Sequence, residues 1–457
     1  MNLLQLSWKN LISKPLSMTL SLVLFALGVG LISLLLLLNK QLQEQFDKNL
    51  ANIDLVVGAK GSPLQLILSS MYHIDAPTGN VPIASAKALM NPKHPLINRA
   101  IPLSMGDSHQ GYRIVGTTYD LVDLYGGQMA QGNLWKDNLE VSIGATVADK
   151  LHLHIGDTFF GSHGLVIDEN LVHDDAPKFR VAGIFQPTGS VLDQLILTNT
   201  QSIWEVHASH DHEDHEDHDH EGEEAHDHDD HAHHKHQHDA DDHHDHNHNH
   251  PAQAISQEEL VNTGANQRQQ LIETAEESIT SLLVQFKARN YRTLNMQRNI
   301  NENTEMQAAT PAIEINRLYS MMGTGTDALR ALAYIIVFVS GLSIFISLFS
   351  SLKDRKYELA LMRVMGSSPS KLFFLIILEG LILAVLGFVI GIILSHVGMS
   401  VFSRYLEDAY RYAFSGWEFL KEEWYLLFGA LAIGFIAAII PALQARKTDI
   451  SRTLSGT

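Results

Sequence analysis

Four long apolar runs divide the chain. Residues 16–38 carry no charge, long enough to cross a hydrocarbon core of about 30 Å at about 1.5 Å per residue. A cleaved signal peptide would have a shorter apolar region of about 7–15 residues ending at a small-residue cleavage site. Here the run continues into Asn39-Lys40-Gln41 and a polar helical stretch, so an uncleaved span is expected. Three more spans are predicted at 331–352, 372–397 and 425–443. Between the first and second lies a domain at 39–330 of mixed pattern. Residues 54–57, 113–115, 179–185, 194–197 and 279–286 read as strands with turn glycines nearby, and 64–71 and 145–151 have helical spacing. Residues 304–327 are polar and helical in tendency, a candidate stalk into the second span.

The link at 353–371 joins spans two and three. Tyr357, Leu361, Val364 and Met365 recur at i, i+4, i+7 and i+8, one apolar face of a short helix, with Lys353, Arg355, Lys356 and Arg363 around the rest. Gly366 can close that helix in the left-handed conformation, and Ser368-Pro369 reads as an N-cap followed by proline at the first helical position. A basic loop obeying the positive-inside rule is the plainer alternative.

Charge orients the spans. Lys9 and Lys14, the 353–363 group, and Arg446, Lys447 and Arg452 fall on one side when four spans are counted, and that side is expected to be cytoplasmic. The segments at 1–15, 353–371 and 444–457 are then inside and the loop at 398–424 outside, with Trp417 and Trp424 suited to the interface. Of 457 residues 45% are hydrophobic and the formal charge is −19. Residues 207–250 hold 16 acids against one Lys, so the rest carries only −4. No basic domain indicates a nucleic-acid partner. The absence of cysteine excludes disulfides and thiolate metal sites.

The segment YELALMRVMGSSPSKLFFLIILEG resembles the signature between the second and third spans of FtsX-like permeases, the MacB/LolC-type subunits of ABC transporters. SIGATVADKLHLHIGDTF and VAGIFQPTGSVLDQLILTN resemble the MacB-type periplasmic core domain, and DLVVGAKGSPLQLILSSMYHIDAPTGNVP one branch of that family. PALQARKTDISRTL resembles the closing motif, with Ile450 where a proline is usual. The resemblance implies an α-helical membrane protein with four transmembrane helices plus a large mixed α/β periplasmic domain between the first and second. It implies that the 353–371 link is a coupling helix docking on a separate cytoplasmic ABC ATPase, with Tyr357, Glu358, Arg363 and Gly366 in the docking element. It also implies a homodimer or heterodimer of permease subunits in a bacterial inner membrane, and mechanical work on something in the periplasm.

Of 26 histidines, 18 fall within 207–250, interleaved with Asp and Glu. Beyond His207 they are His210, His212, His215, His218, His220, His226, His228, His231, His233, His234, His236, His238, His243, His244, His246, His248 and His250. Imidazole with carboxylate suits Zn²⁺, and also Cu²⁺ or Ni²⁺. With almost nothing apolar to bury, the tract is expected to be disordered and to offer several labile sites. An acidic insert with incidental metal affinity is the alternative. His73, His94, His109, His163 and His173 are scattered, and His152 with His154 forms an HxH that would share one face of a strand; surface positions are the expectation for these. His396 is expected at the membrane interface. Glu379 is the one acid inside a predicted span, a candidate relay or a packing and interfacial residue. Gly387 and Gly391 form a GxxxG that permits close helix approach.

No GxxxxGK[ST], GxSxG or HExxH occurs, so neither ATP hydrolysis nor other catalysis is expected of this chain, and no intrinsic cofactor. Two further function classes stay open. One is an FtsX-like regulator acting on a periplasmic partner; the other is a metal-binding or sensing module of the complex.

Overall fold

The computed structural model describes residues 3–12, 15–163, 177–211, 256–274, 276–410 and 414–447. They form two compact units, residues 1–46 with 317–457, and residues 47–316.

The first unit is helical. Four helices among the described residues are long and apolar enough to cross a membrane: Pro15–Leu50, Pro311–Asp354, Pro369–Tyr410 and Glu423–Arg446. Three begin at proline, whose missing N–H costs nothing where no intrahelical acceptor exists. The third span is the hub. A Cβ on Gly391 would come within 2.8 Å of the Ala26 carbonyl of the first span, and one on Gly380 within 2.8 Å of the Gly434 carbonyl of the fourth. Small residues therefore set the close backbone approach on both sides. Serine pairs join spans one and two, Ser17 to Ser347 at 2.8 Å and Ser21 to Ser343 at 2.9 Å. Phe25, Leu348, Leu375 and Ala438 are sealed in the core, whereas Leu16, Phe338 and Phe428 face outward, as suits a surface solvated by acyl chains. The N-terminal segment is itself a helix, Leu3–Ile12, with Ser7 and Leu11 buried.

The second unit is a mixed sheet domain. In chain order its strands are β1 (Leu55–Ala59), β2 (Val81–Pro82), β3 (Ile97–His109), β4 (Tyr112–Gly116), β5 (Met129–Gly132), β6 (Glu140–Ile143), β7 (Thr158–Phe159), β8 (Ser162–His163), β9 (Phe179–Phe185), β10 (Ile196–Thr198), β11 (Ser278–Ile279), β12 (Ser281–Phe286) and β13 (Met306–Ala309). The main sheet runs β13-β1-β12-β3-β4-β10-β6-β9-β5, with β7 on β9 and β8 on β3, and β11 pairs with β2 apart from it. Most pairs are antiparallel, but β10 is parallel to β4 and β6 parallel to β9. Helices Pro63–Met71, Ile83–Met90 and Gln257–Glu273 bury Leu66, Ile83 and Leu271. One apolar cluster centres on Leu55, Leu282 and Val284, another on Ile114, Ile143 and Phe179.

Three expectations change, at the stalk, at the 398–424 loop and at His73. The stalk does not begin at 304: Met306–Ala309 is β13, paired with β1 and buried at Met306, Ala308 and Ala309, and the helix starts at Pro311. The loop expected at 398–424 is partly helical, because the helix that carries the third span continues to Tyr410 and the next begins at Glu423. His152 and His154 are exposed, as expected, and lie on no strand; His152 caps helix Ala145–Leu151 at φ +53°. His73 is no plain surface residue, since its Nδ1 is sealed from solvent without a partner.

Candidate functional site

The short link helix is Lys356–Val364. Arg355, at φ −104°, breaks it from the second span, so the chain turns there. Leu359 and Ala360 are buried against the spans. Tyr357, Leu361, Val364 and Met365 point the other way and are exposed. The apolar stripe read from periodicity is thus the outward face, and the helix is held by a second, shorter one.

The end of this helix follows from sequence. Gly366 N–H donates to the Arg363 carbonyl and Ser367 N–H to the Met362 carbonyl, both at 3.0 Å. That is the Schellman arrangement, with glycine at φ +96°. Ser368 Oγ then accepts from Lys371 N–H at 3.4 Å, and Pro369 opens the third span.

Beneath the helix sits Glu379, 1% exposed. Asn10 Nδ2 donates to its Oε1 at 2.7 Å, and Arg355 Nη1 lies 3.5 Å from the same oxygen. Arg355 Nε also donates to Glu358 Oε2 at 3.1 Å, and Glu358 is largely exposed. One guanidinium therefore connects the first turn of the link helix with a buried carboxylate of the third span. A buried charge survives only when paired and hydrogen-bonded, and Glu379 has both kinds of partner. Sequence reasoning marked Glu379 but missed Arg355 and Asn10 as its partners.

A second buried polar group lies at the other end of the bundle. His396 Nε2 is 3.0 Å from Glu423 Oε1, and His396 Nδ1 is 2.7 Å from the Gly416 carbonyl. Ser33 Oγ donates to Glu423 Oε1 at 3.0 Å and lies 2.7 Å from Ser395 Oγ. His396 and Glu423 are both under 10% exposed. His396 is thus enclosed by the bundle: three spans converge on a buried His–Glu pair, which no local motif announces.

Among the described residues no group of three or more His, Asp or Glu is arranged to hold a metal ion. The histidine tract lies outside the described residues from His212 to His250, as does the side chain of His210. His207, on helix Thr200–Asp211, has Nε2 3.9 Å from Asp107 Oδ1 of β3.

Residues 330–450 match the FtsX-like permease C-terminal domain, and residues 18–217 the MacB-like periplasmic core domain. Among curated proteins none matches the chain. A solved structure, the periplasmic region of MacB from Actinobacillus actinomycetemcomitans, is similar at 10% identity, over 59% of this chain and 94% of that one, with a TM-score of 0.30. With one profile on the first span and much of the sheet domain and the other on the last three spans, the chain belongs to the FtsX-like permeases with a MacB-type periplasmic core domain, the multi-pass permease subunits of ABC transporters.

Proposed function

We propose that this permease couples ATP hydrolysis by a separate cytoplasmic ABC ATPase to mechanical work by its periplasmic sheet domain. The carrying observation is the outward stripe of Tyr357, Leu361, Val364 and Met365 on a helix whose opposite side is anchored by Leu359 and Ala360. Fully burying one such side chain against a partner stabilises by about 1.5–3 kcal/mol, so four in a row suit a docking surface. Arg355 would pass displacement of that helix to Glu379 and the third span. The chain itself is non-catalytic in this reading. Both termini lie in the cytoplasm of a bacterial cell whose inner membrane holds a pair of permease subunits, identical or related.

The test is co-purification with an ABC ATPase from the same cell. Tyr357→Asp and Val364→Asp should abolish the complex and its ATP turnover while membrane insertion and melting of the permease stay unchanged. Full assembly and turnover in both variants would sink the reading.

A second element of the proposal is that the 207–250 tract binds Zn²⁺ and makes the complex responsive to it. Its support is composition alone: 18 histidines among 16 acids. Neutral imidazoles are available as ligands at neutral pH.

A further inference from the structure

Strand β3 is irregular where it passes Gly106 and Asp107, since its register on β4 shifts between Met105 and Ser108. Bulges of this kind re-aim a side chain and gather beside functional sites. Here the irregularity carries Asp107, whose carboxylate is 2% exposed, under helix Thr200–Asp211.

His207 of that helix lies over the bulge. A Cβ on Gly106 would come within 2.9 Å of its Nε2, so glycine leaves room for the ring. The same nitrogen is 3.9 Å from Asp107 Oδ1. That gap is too long for a hydrogen bond. It is close to the sum of a Zn–N bond of about 2.0–2.1 Å and a Zn–O bond of about 2.0–2.2 Å. An ion therefore fits between the two atoms with little movement of the imidazole. His207 also provides the way in: its side chain is 43% exposed and can turn out to solvent, uncovering the carboxylate.

The topology brings further ligands to the same place. Strand β8 pairs antiparallel with β3, and His163 stands directly opposite Asp107. Residues so paired share a face of the sheet, with Cβ atoms about 4.5–5.5 Å apart. On the helix, Ile203 and Val206 are buried in the cluster that includes Ile114 of β4. His207 and His210 follow Ile203 at i+4 and i+7, positions on one side of a helix. Of these residues Asp107 and His207 have described side chains; His163 and His210 enter by register and helical spacing. Imidazoles with one carboxylate suit zinc, and the imidazoles disfavour calcium and magnesium, which take oxygen ligands.

We propose that Asp107, His163 and His207 hold a Zn²⁺ ion on the sheet domain, with His210 within reach of the fourth position. The ion fastens the helix from which the 212–250 tract departs to strands β3 and β8. The site lies outside that tract, goes beyond the coupling reading and stands whether or not the tract itself binds zinc.

Urea unfolding of the sheet domain tests this, followed in the full chain in micelles by near-ultraviolet circular dichroism, with and without zinc chloride at neutral pH. Ligands drawn from distant elements form a set only in the folded domain, so zinc should raise the midpoint. Histidines within one continuous stretch bind the ion in the unfolded chain as well and leave the midpoint nearly unmoved. His207→Gln, His163→Gln and Asp107→Asn should each lose most of the rise, and the two histidine variants should keep a metal-free midpoint near the native one. Calorimetry with zinc chloride on the chain lacking 212–250 should still find one site. Each substitution should weaken that site at least about tenfold, since even an outer-shell partner is worth about 10–100-fold. No rise in the native chain, no zinc site in the shortened one, or an undiminished rise in either histidine variant overturns the proposal. If Asp107→Asn unfolds, the histidine variants still decide it. A tract that binds no zinc would leave the rise in place, so the two metal readings fail separately.

Discussion

Arg355 stands between two carboxylates of different standing, 3.1 Å from exposed Glu358 and 3.5 Å from buried Glu379. The first contact is exposed on the Glu358 side and worth little by itself. The second compensates a charge that has otherwise only Asn10. Arg355→Met should therefore destabilise the helical unit by about 3–5 kcal/mol, the usual result of stranding a buried charge. Glu358→Gln should cost less than about 1 kcal/mol. Melting of the two variants in detergent measures both, and equal melting temperatures would show that Arg355 does not anchor Glu379.

Gly366 is at φ +96° with open space where a Cβ would stand. Any cost of substitution is then backbone strain and not a clash. Gly366→Val should lose about 1–2 kcal/mol and blur the turn into the third span. Gly366→Asn should lose distinctly less, because Asn tolerates the left-handed region better. If the link helix docks an ATPase, turnover of the complex should rank glycine above asparagine above valine. Identical turnover in all three would mean that the turn has no part in coupling.

What was legible in the sequence was local. FRVAGIF in β9 alternates buried and open positions, and the Gly366 and Ser368-Pro369 signals act within one turn. Strand β3 was missed because Pro102 and Gly106 interrupt a segment buried at most positions, so it shows neither alternation nor an uninterrupted apolar run. Its proline is tolerated beside a register shift between Met105 and Ser108 and opposite Leu282. The partners of Glu379 and His396 lie at least 24 and 20 residues away, and no periodicity reaches that far.

Ser33 and Ser395 have hydroxyls 2.7 Å apart on the first and third spans, and the chain has no cysteine. The double variant Ser33→Cys, Ser395→Cys should form an intramolecular disulfide under mild oxidation, detected after proteolysis between the two positions. Failure to cross-link would displace the first span from the third at this level. Glu423→Ala removes the acceptor shared by Ser33 and His396 and should cost about 1–3 kcal/mol, whereas Glu423→Gln, which keeps an oxygen, should cost less.

Deleting residues 212–250 takes away 16 histidines and begins beyond helix Thr200–Asp211. The shortened chain should still insert and assemble, yet bind far less Zn²⁺ than the full chain at neutral pH. Lowering the pH about one unit below the ordinary imidazole pKa of about 6.5 should also weaken zinc binding by the full chain, as protons compete for the ring nitrogens. Equal zinc stoichiometry with and without the tract would move the metal to other residues.

His73 makes stability of the sheet domain depend on pH. It sits at φ +54° with Nδ1 sealed and unpartnered. Burial, with a smaller contribution from the charge of Arg113, lowers its pKa to about 3. Arg113 cannot easily move off, since Nη2 donates to the Asp75 carbonyl at 2.9 Å. In the unfolded chain the ring titrates near 6.5, so below that pH the unfolded state binds a proton that the folded state refuses. The contribution is present in full above pH 6.5 and is lost progressively as pH falls toward about 3. Between pH 7 and pH 5 the loss from this group should be about 1–2 kcal/mol. His73→Asn keeps a residue that accepts the left-handed backbone and removes the titrating ring. Urea unfolding of the sheet domain, followed in the full chain by near-ultraviolet circular dichroism, should show a steeper loss on acidification in the native protein than in the variant. Parallel pH profiles would mean that His73 takes up its proton in the folded state as easily as in water.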